Sequence, residues 1–373
     1  MKSIIFALFV GCVISRTYVI ERSPVAPFEC TELRPCRITD LPSSFTTADS
    51  VIFVPATTGT SSTFSAVSRT LSKPSLTIRP GVTFSGSTIQ SSGALAVNVV
   101  GVNFVSGSAL NCLSAGAITV DQTNFTNSVL NVQTSTNLAV SNIVVSGMAG
   151  SQNMVWAATA ETISNVVFTN CASTNPLLTF ATFQDTTIDI TGLSILNSTI
   201  NSAANSMVLF NSASGKSLTS TMATFRAQYL TAGAAILEMR VSSTTSNNAF
   251  KLYVQMYDFG FDDSSVAKGV VYLNNKDDLG ELWLDSDLDS SHNINFNNGA
   301  IYNFNTAGGK LLFNGVTSNN DFCDTSNQQY FAICEGQVSE IFAGFTGNVQ
   351  NSTETGQTSL NCPYMFFSAG TTC

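Results

Sequence analysis

The ionisable chemistry of this sequence is concentrated between Asp258 and Asp289. There Asp258, Asp262, Asp263, Asp277, Asp278, Glu281, Asp285, Asp287 and Asp289 gather nine carboxylates against Lys268 and Lys276. Asp285, Asp287 and Asp289 have the alternate oxygen spacing with which a calcium loop begins, because a hard cation takes several oxygen ligands at once. The loop is not completed: Ser290 stands where an EF-hand needs glycine for its sharp turn, and Phe296 where it needs a bidentate glutamate. On an extended strand the three aspartates share one face, a ladder of like charges that cations or solvent must screen. No cofactor is required, calcium is the one considered, and a solvated acidic face is the competing reading. The single histidine, His292, has no GxSxG turn to serve, so a Ser/His/Asp triad lacks its setting. Cys323, Cys334, Cys362 and Cys373, spaced by 10, 27 and 10 residues without a CxxC, do not present a zinc pattern.

The cysteines speak more directly about location. Lys2, the apolar run from Ile4 to Ile14, and the small residues Val13 and Ser15 ahead of Arg16 read as a secretory signal peptide over residues 1–15. Export removes Cys12 and leaves eight cysteines on an oxidising route. Cys30 with Cys36, and the four C-terminal cysteines, read as disulfide-stapled ends, while Cys112 and Cys171 are either buried thiols or a pair. Asn124, Asn197 and Asn351 head glycosylation sequons, which suits a secreted or cell-surface glycoprotein. No later stretch approaches the ~20 apolar residues of a membrane helix. With a formal charge of −9 and a pI near 4.5 the chain has no basic surface for nucleic acid.

The elements that must position any such group follow from composition and period. Of the 373 residues 10% are charged and 44% apolar, and about a third are Ser, Thr or Asn. Helix-surface residues are scarce, whereas residues suited to strands and tight turns abound, so the chain is expected to be all β. One template recurs as VNVVGVNF (97–104), ITVDQTNF (118–125), LAVSNIVV (138–145), ETISNVVF (161–168) and IDITGLSI (188–195), with starts 21, 20, 23 and 27 residues apart. Apolar residues fill its first, third and eighth positions, Glu161 being the exception at the first, and alternation marks a half-buried strand. The fifth position, Gly101, Gln122, Asn142, Asn165 or Gly192, is where a bend with positive φ is expected. A second turn follows at SGS, TNS, SGM, TNC or LNS, and then a third apolar stretch such as 109–113. The frame continues more loosely from 218, 252, 282 and 311, which gives roughly ten coils stacking like residues on like.

Coils of this length, with three short strands and an Asn or Gly bend, resemble the right-handed parallel β-helix of the pectin-lyase-like superfamily over about residues 50–320. Together with the export signal and the placing of the cysteines, this divides the chain into a signal peptide at 1–15, an N-terminal cap segment at 16–50, a β-helix at 51–320 and a Cys-rich cap at 321–373. The resemblance also implies polysaccharide chemistry, through calcium with an Arg or Lys base, or through paired aspartates. The superfamily's NTD, DD, GHG and RIK hydrolase segments are not matched, having neither GHG nor RIK. For a lyase, Asp189 on an outward template position and Arg226 are the catalytic candidates. The poverty of catalytic groups favours a secreted, non-catalytic β-helix with a structural, adhesive or glycan-binding role. Its expected partners are a polysaccharide or glycoprotein surface, with self-association also open, and the alternative is a polysaccharide lyase or glycoside hydrolase.

Overall fold

The computed structural model of the chain describes residues 15–22, 30–31, 35–56, 62–213, 216 and 218–242, with side chains as far as Arg240. Beyond these it describes the backbone of the strands from Phe250–Asp262 to Met365–Phe366, and Tyr272. Apart from one 3-10 turn at Ile38–Asp40, the described elements are strands, and they form a parallel β-solenoid. One coil shows the plan. Ala96–Val100, Asn103–Val105 and Ala109–Leu113 form three faces in succession, and each pairs in parallel with the equivalent strand of the coils before and after.

The bends fall where residue chemistry puts them. Gly101, Gln122, Asn142, Asn165 and Gly192 have φ of 63°, 49°, 52°, 51° and 80°. The second turn is likewise left-handed at Ser106, Asn127, Gly147, Asn170 and Asn197, and a third lies at Lys73, Gly93, Ser114 and Thr134. One residue in this conformation redirects the chain without ending the ladder, because its own N–H still reaches the next coil: Gly101 donates to Asp121 and Gln122 to Ser141. At Gly101 a side chain is also excluded by space, since a Cβ would stand 2.9 Å from the Pro80 ring.

The register confirms the template over its five clear copies: Val97, Ile118, Leu138, Glu161 and Ile188 lie opposite one another in turn. After that the frame moves by two. Ile188 faces Ser220, not Leu218, although Leu218, Leu252, Leu282 and Leu311 remain in line among themselves. A slip of two keeps every side chain on its own face, which is why the apolar pattern cannot register it. The coil count also differs from the expected ten. The parallel solenoid has about six turns. The loosely spaced later copies and the poorly patterned early ones misled the count.

Inside, like residues stack in columns. Phe64, Phe84, Phe104 and Phe125 follow one another with ring centroids 5.3, 5.2 and 5.0 Å apart and become more nearly coplanar along the row. A second column on the third face carries Cys112, Val132, Trp156, Phe180 and Phe210, and the Trp156 indole N–H donates to the Leu130 carbonyl. Cys171 belongs to a different column, so the two central cysteines are separate buried thiols. The last residue of the second turn supplies that column. The Ser108 and Ser128 hydroxyls each accept an N–H from the preceding coil, from Ser87 and Ser108 respectively, at 3.1 Å, and each donates to a nearby carbonyl.

At the N-terminal end, β1 (Thr17–Ile20) lies parallel on β2 (Ser50–Phe53), beside the Cys30–Cys36 disulfide. Toward the C-terminus the direction reverses: Tyr330–Cys334 and Gln337–Gly347 take Met365–Phe366 and Gln357–Asn361 as antiparallel partners. Residues 1–14 of the expected signal peptide (1–15), Cys323, Cys362, Cys373, Asn351 and the Cys334 side chain lie outside the described residues.

Phe104→Ala should lower unfolding free energy by about 3–5 kcal/mol, because the stack on either side cannot collapse into the gap. Ser108→Ala should cost about 1–3 kcal/mol by orphaning the Ser87 N–H. Urea titration of both variants against the parent chain checks the two values.

Candidate functional site

The outward positions form rows as regular as the columns inside. On the first face Asn98, Thr119, Ala139, Thr162 and Asp189 are exposed and lie opposite one another, one per coil, about 4.8 Å apart as neighbouring strands must be. Elsewhere amide side chains link coils directly: Asn124 donates to Asn103 at 3.0 Å, Asn131 to Asn111 at 3.1 Å and Asn165 to Asn142 at 3.1 Å. Asp121 accepts hydrogen bonds from the Ser141 hydroxyl and the Asn142 amide, and these hold its carboxyl below the usual carboxylate range. Over the described coils the outside thus carries mostly uncharged side chains in parallel register, with the carboxyls of Asp121 and Asp189 among them.

The two catalytic candidates from the sequence stand apart on it. Asp189 is exposed on the first face between Thr162 and Thr221, whereas Arg226 is exposed on the second, between Ser194 and Gly260. The bend at Gly192 and Thr224 separates them. Asp285, Asp287 and Asp289 lie on Gly280–His292, and the register shifts on both neighbouring strands around Asp287. Their side chains are outside the described residues, as is that of His292. Among the described residues no three His, Cys, Asp or Glu side chains come together. Asn124 is exposed within its amide pair, and Asn197 is exposed at the second turn.

Two carboxyls that sequence reasoning did not select have the more unusual surroundings. Glu161 occupies an inward template position between Leu138 and Ile188 and is only 2% exposed. Its Oε1 accepts the Ala158 N–H at 2.9 Å, and its Oε2 has no partner among the described residues. Burial pushes its pKa up to about 8, so the acid is held neutral inside the core at neutral pH. The signal was visible as the one polar exception in the template's first position.

Glu238 is 1% exposed and lies on the third face, opposite Leu209 and Tyr272. Its Oε1 receives Nε and Nη2 of Arg240 at 2.9 and 2.7 Å, and its Oε2 receives the Ser206 hydroxyl at 2.9 Å. Ser206 in turn accepts the Ala235 N–H at 3.1 Å, so the charge ties two coils together. In sequence the clue was a lone Glu inside the apolar run AILEM with an Arg two residues on, which places both on one strand face. The Glu161 carboxyl is enclosed by the core and the Glu238 carboxylate is taken up by its partners, so both serve the scaffold.

Because the folded chain holds the Glu161 proton more tightly than the unfolded chain does, its contribution is complete below about pH 4.5 and declines until about pH 8. The stability of the parent protein should therefore fall across that window, at roughly 1.4 kcal/mol per pH unit at most. Glu161→Gln should flatten the profile; parallel profiles for the two proteins would refute the assignment. Arg240→Ala should destabilise by about 2–3 kcal/mol, since it leaves a buried carboxylate short of its main donor. Adding Glu238→Gln should recover part of that loss in thermal melts.

No protein-family model, curated protein or solved structure matches this chain.

Proposed function

We propose that this chain is a secreted, non-catalytic β-helix whose outer faces bind a polysaccharide or glycoprotein surface, in a structural or adhesive role at the cell surface or in the extracellular matrix. The observation that carries the reading is the row Asn98, Thr119, Ala139, Thr162, Asp189, which offers mostly uncharged groups at a constant interval along the stack. Such an array meets an extended neutral partner at many weak points, and the sum grows with each coil engaged. A disulfide between Cys30 and Cys36 is in keeping with an oxidising compartment, and exposed Asn124 and Asn197 with glycan attachment there. Within the pectin-lyase-like superfamily, which the coil resembles, this would be a member that keeps the scaffold and dispenses with the reaction. A lyase or hydrolase is the alternative; the separation of Asp189 from Arg226 on two faces weighs against it.

A panel of polysaccharides, scored for binding and for bond cleavage with and without calcium, tests the reading on oxidised protein. Retention without cleavage is expected, and Thr119→Asp with Thr162→Asp should weaken it by about tenfold or more by placing unmatched charges in the row, a loss of ~1.4 kcal/mol or more. Cleavage lost in Asp189→Ala or Arg226→Ala would overturn it in favour of the enzyme, and calcium-dependent binding would bring in Asp285, Asp287 and Asp289.

A further inference from the structure

We infer that N-linked sugars on Asn124 and Asn197 each rest on the exposed apolar side chain that the following coil brings beside them, Val144 for the first and Tyr229 for the second. The inference rests on the reading of an exported glycoprotein and adds a seat for each sugar. The described residues expose three large apolar side chains, Leu95 at 64%, Tyr229 at 59% and Val144 at 39%. Two of the three follow a sequon asparagine by one coil. On the second face Asn103, Asn124, Val144, Val167 and Ser194 lie opposite one another in turn, so Val144 is the next rung after Asn124. At the second turn Leu196 pairs with Gln228 and Ser198 with Leu230, which puts Tyr229 where Asn197 stands one coil earlier.

Neither apolar residue is one that its place calls for. Val144 and half-buried Val167 are aliphatic in a row otherwise of amides and a hydroxyl. Tyr229 holds a φ of 53° at a corner that Asn127, Gly147, Asn170 and Asn197 fill in the coils before it, and a bulky side chain is costly in that conformation. A pyranose ring gives both residues a partner. One of its faces is made of C–H groups, and laid against a valine or a tyrosine ring it takes apolar surface out of water. Neighbouring coils are about 4.8 Å apart, close to the length of one sugar unit, so the first sugar reaches the next rung without any change in the backbone.

At Asn124 an existing hydrogen bond sets the direction. Nδ2 donates to Asn103 Oδ1 at 3.0 Å, toward the preceding coil, which commits one of its two hydrogens. The sugar replaces the other and leaves on the side away from Asn103, which is the side of Val144. The transfer balances with one co-reactant, a lipid pyrophosphate-linked oligosaccharide. The bond from Nδ2 to the sugar C1 forms and the bond from C1 to the pyrophosphate oxygen breaks. The lipid pyrophosphate leaves with the electron pair, and the displaced amide proton passes to a base.

The test uses the full chain secreted from a eukaryotic host. Glycopeptide mass spectra should find sugar on both Asn124 and Asn197. In urea titrations Asn197→Gln should raise the unfolding constant about fivefold in the parent background and leave it nearly unchanged beside Tyr229→Ser, and Asn124→Gln should couple to Val144→Ser in the same way. Because each asparagine is replaced in both backgrounds, the lost Asn103 bond cancels. Bare Asn124 or Asn197 on exported chain, or equal costs in the two backgrounds at either site, would overturn the inference and leave the secreted reading standing. A chain retained in the cell without sugar would overturn both.

Discussion

Everything in this molecule depends on turning the chain three times per coil without leaving a backbone group unpaired. A strand stacked between two others has its N–H and C=O groups committed along the stack, so a bend made with a loop would orphan several of them at once. The single left-handed residue is the economical solution: Gly101, Gln122, Asn142, Asn165 and Gly192 turn the direction of the strand within one residue, and the ladder passes through. Once those bends are aligned from coil to coil, equivalent side chains fall over one another, and the columns of Phe, of Ser and of the outward Thr and Asn follow without further specification. The corner thus governs both the core and the surface.

Where a column changes character the structure shows how it compensates. Small hydroxyls at the second turn accept a neighbouring N–H that the curvature would leave unmet, so Ser108 and Ser128 are buried polar groups with full partners. Glu161 is the departure. It replaces an apolar residue in an otherwise aliphatic column, and in its neutral form the core accommodates it where a charge would be several times more costly to enclose. Glu238 solves the same problem by recruiting Arg240 and Ser206.

Much of this fold was legible in the sequence because its determinants are local. Gly and Asn at a fixed place mark positive φ, and Phe104 and Phe125 recur at the interval of one coil. What was not legible is set by non-local register. The two-residue displacement between Ile188 and Ser220 preserves the alternation that sequence reading relies on, and so it leaves no trace there. The candidate sites depend on register in the same way: Asp189 and Arg226 lie on different faces, whereas the Glu238 arrangement needs Ser206, 32 residues away, brought beneath it by a full coil. The Cys30–Cys36 pair was readable because its members are close in the chain.

The serial stacking has a mechanical consequence. Hydrogen bonds between coils point along the stack, so a load applied between the two ends pulls on them directly and on every interface in turn, with no wide sheet sheared at once. The interface at an end of the stack is the one free to give first, and each coil that peels away lengthens the tether by about 70 Å for ~20 residues of extended chain. A protein anchored at one end and attached at the other would then yield in small steps of nearly constant force, absorbing work while the rest of the stack remained folded.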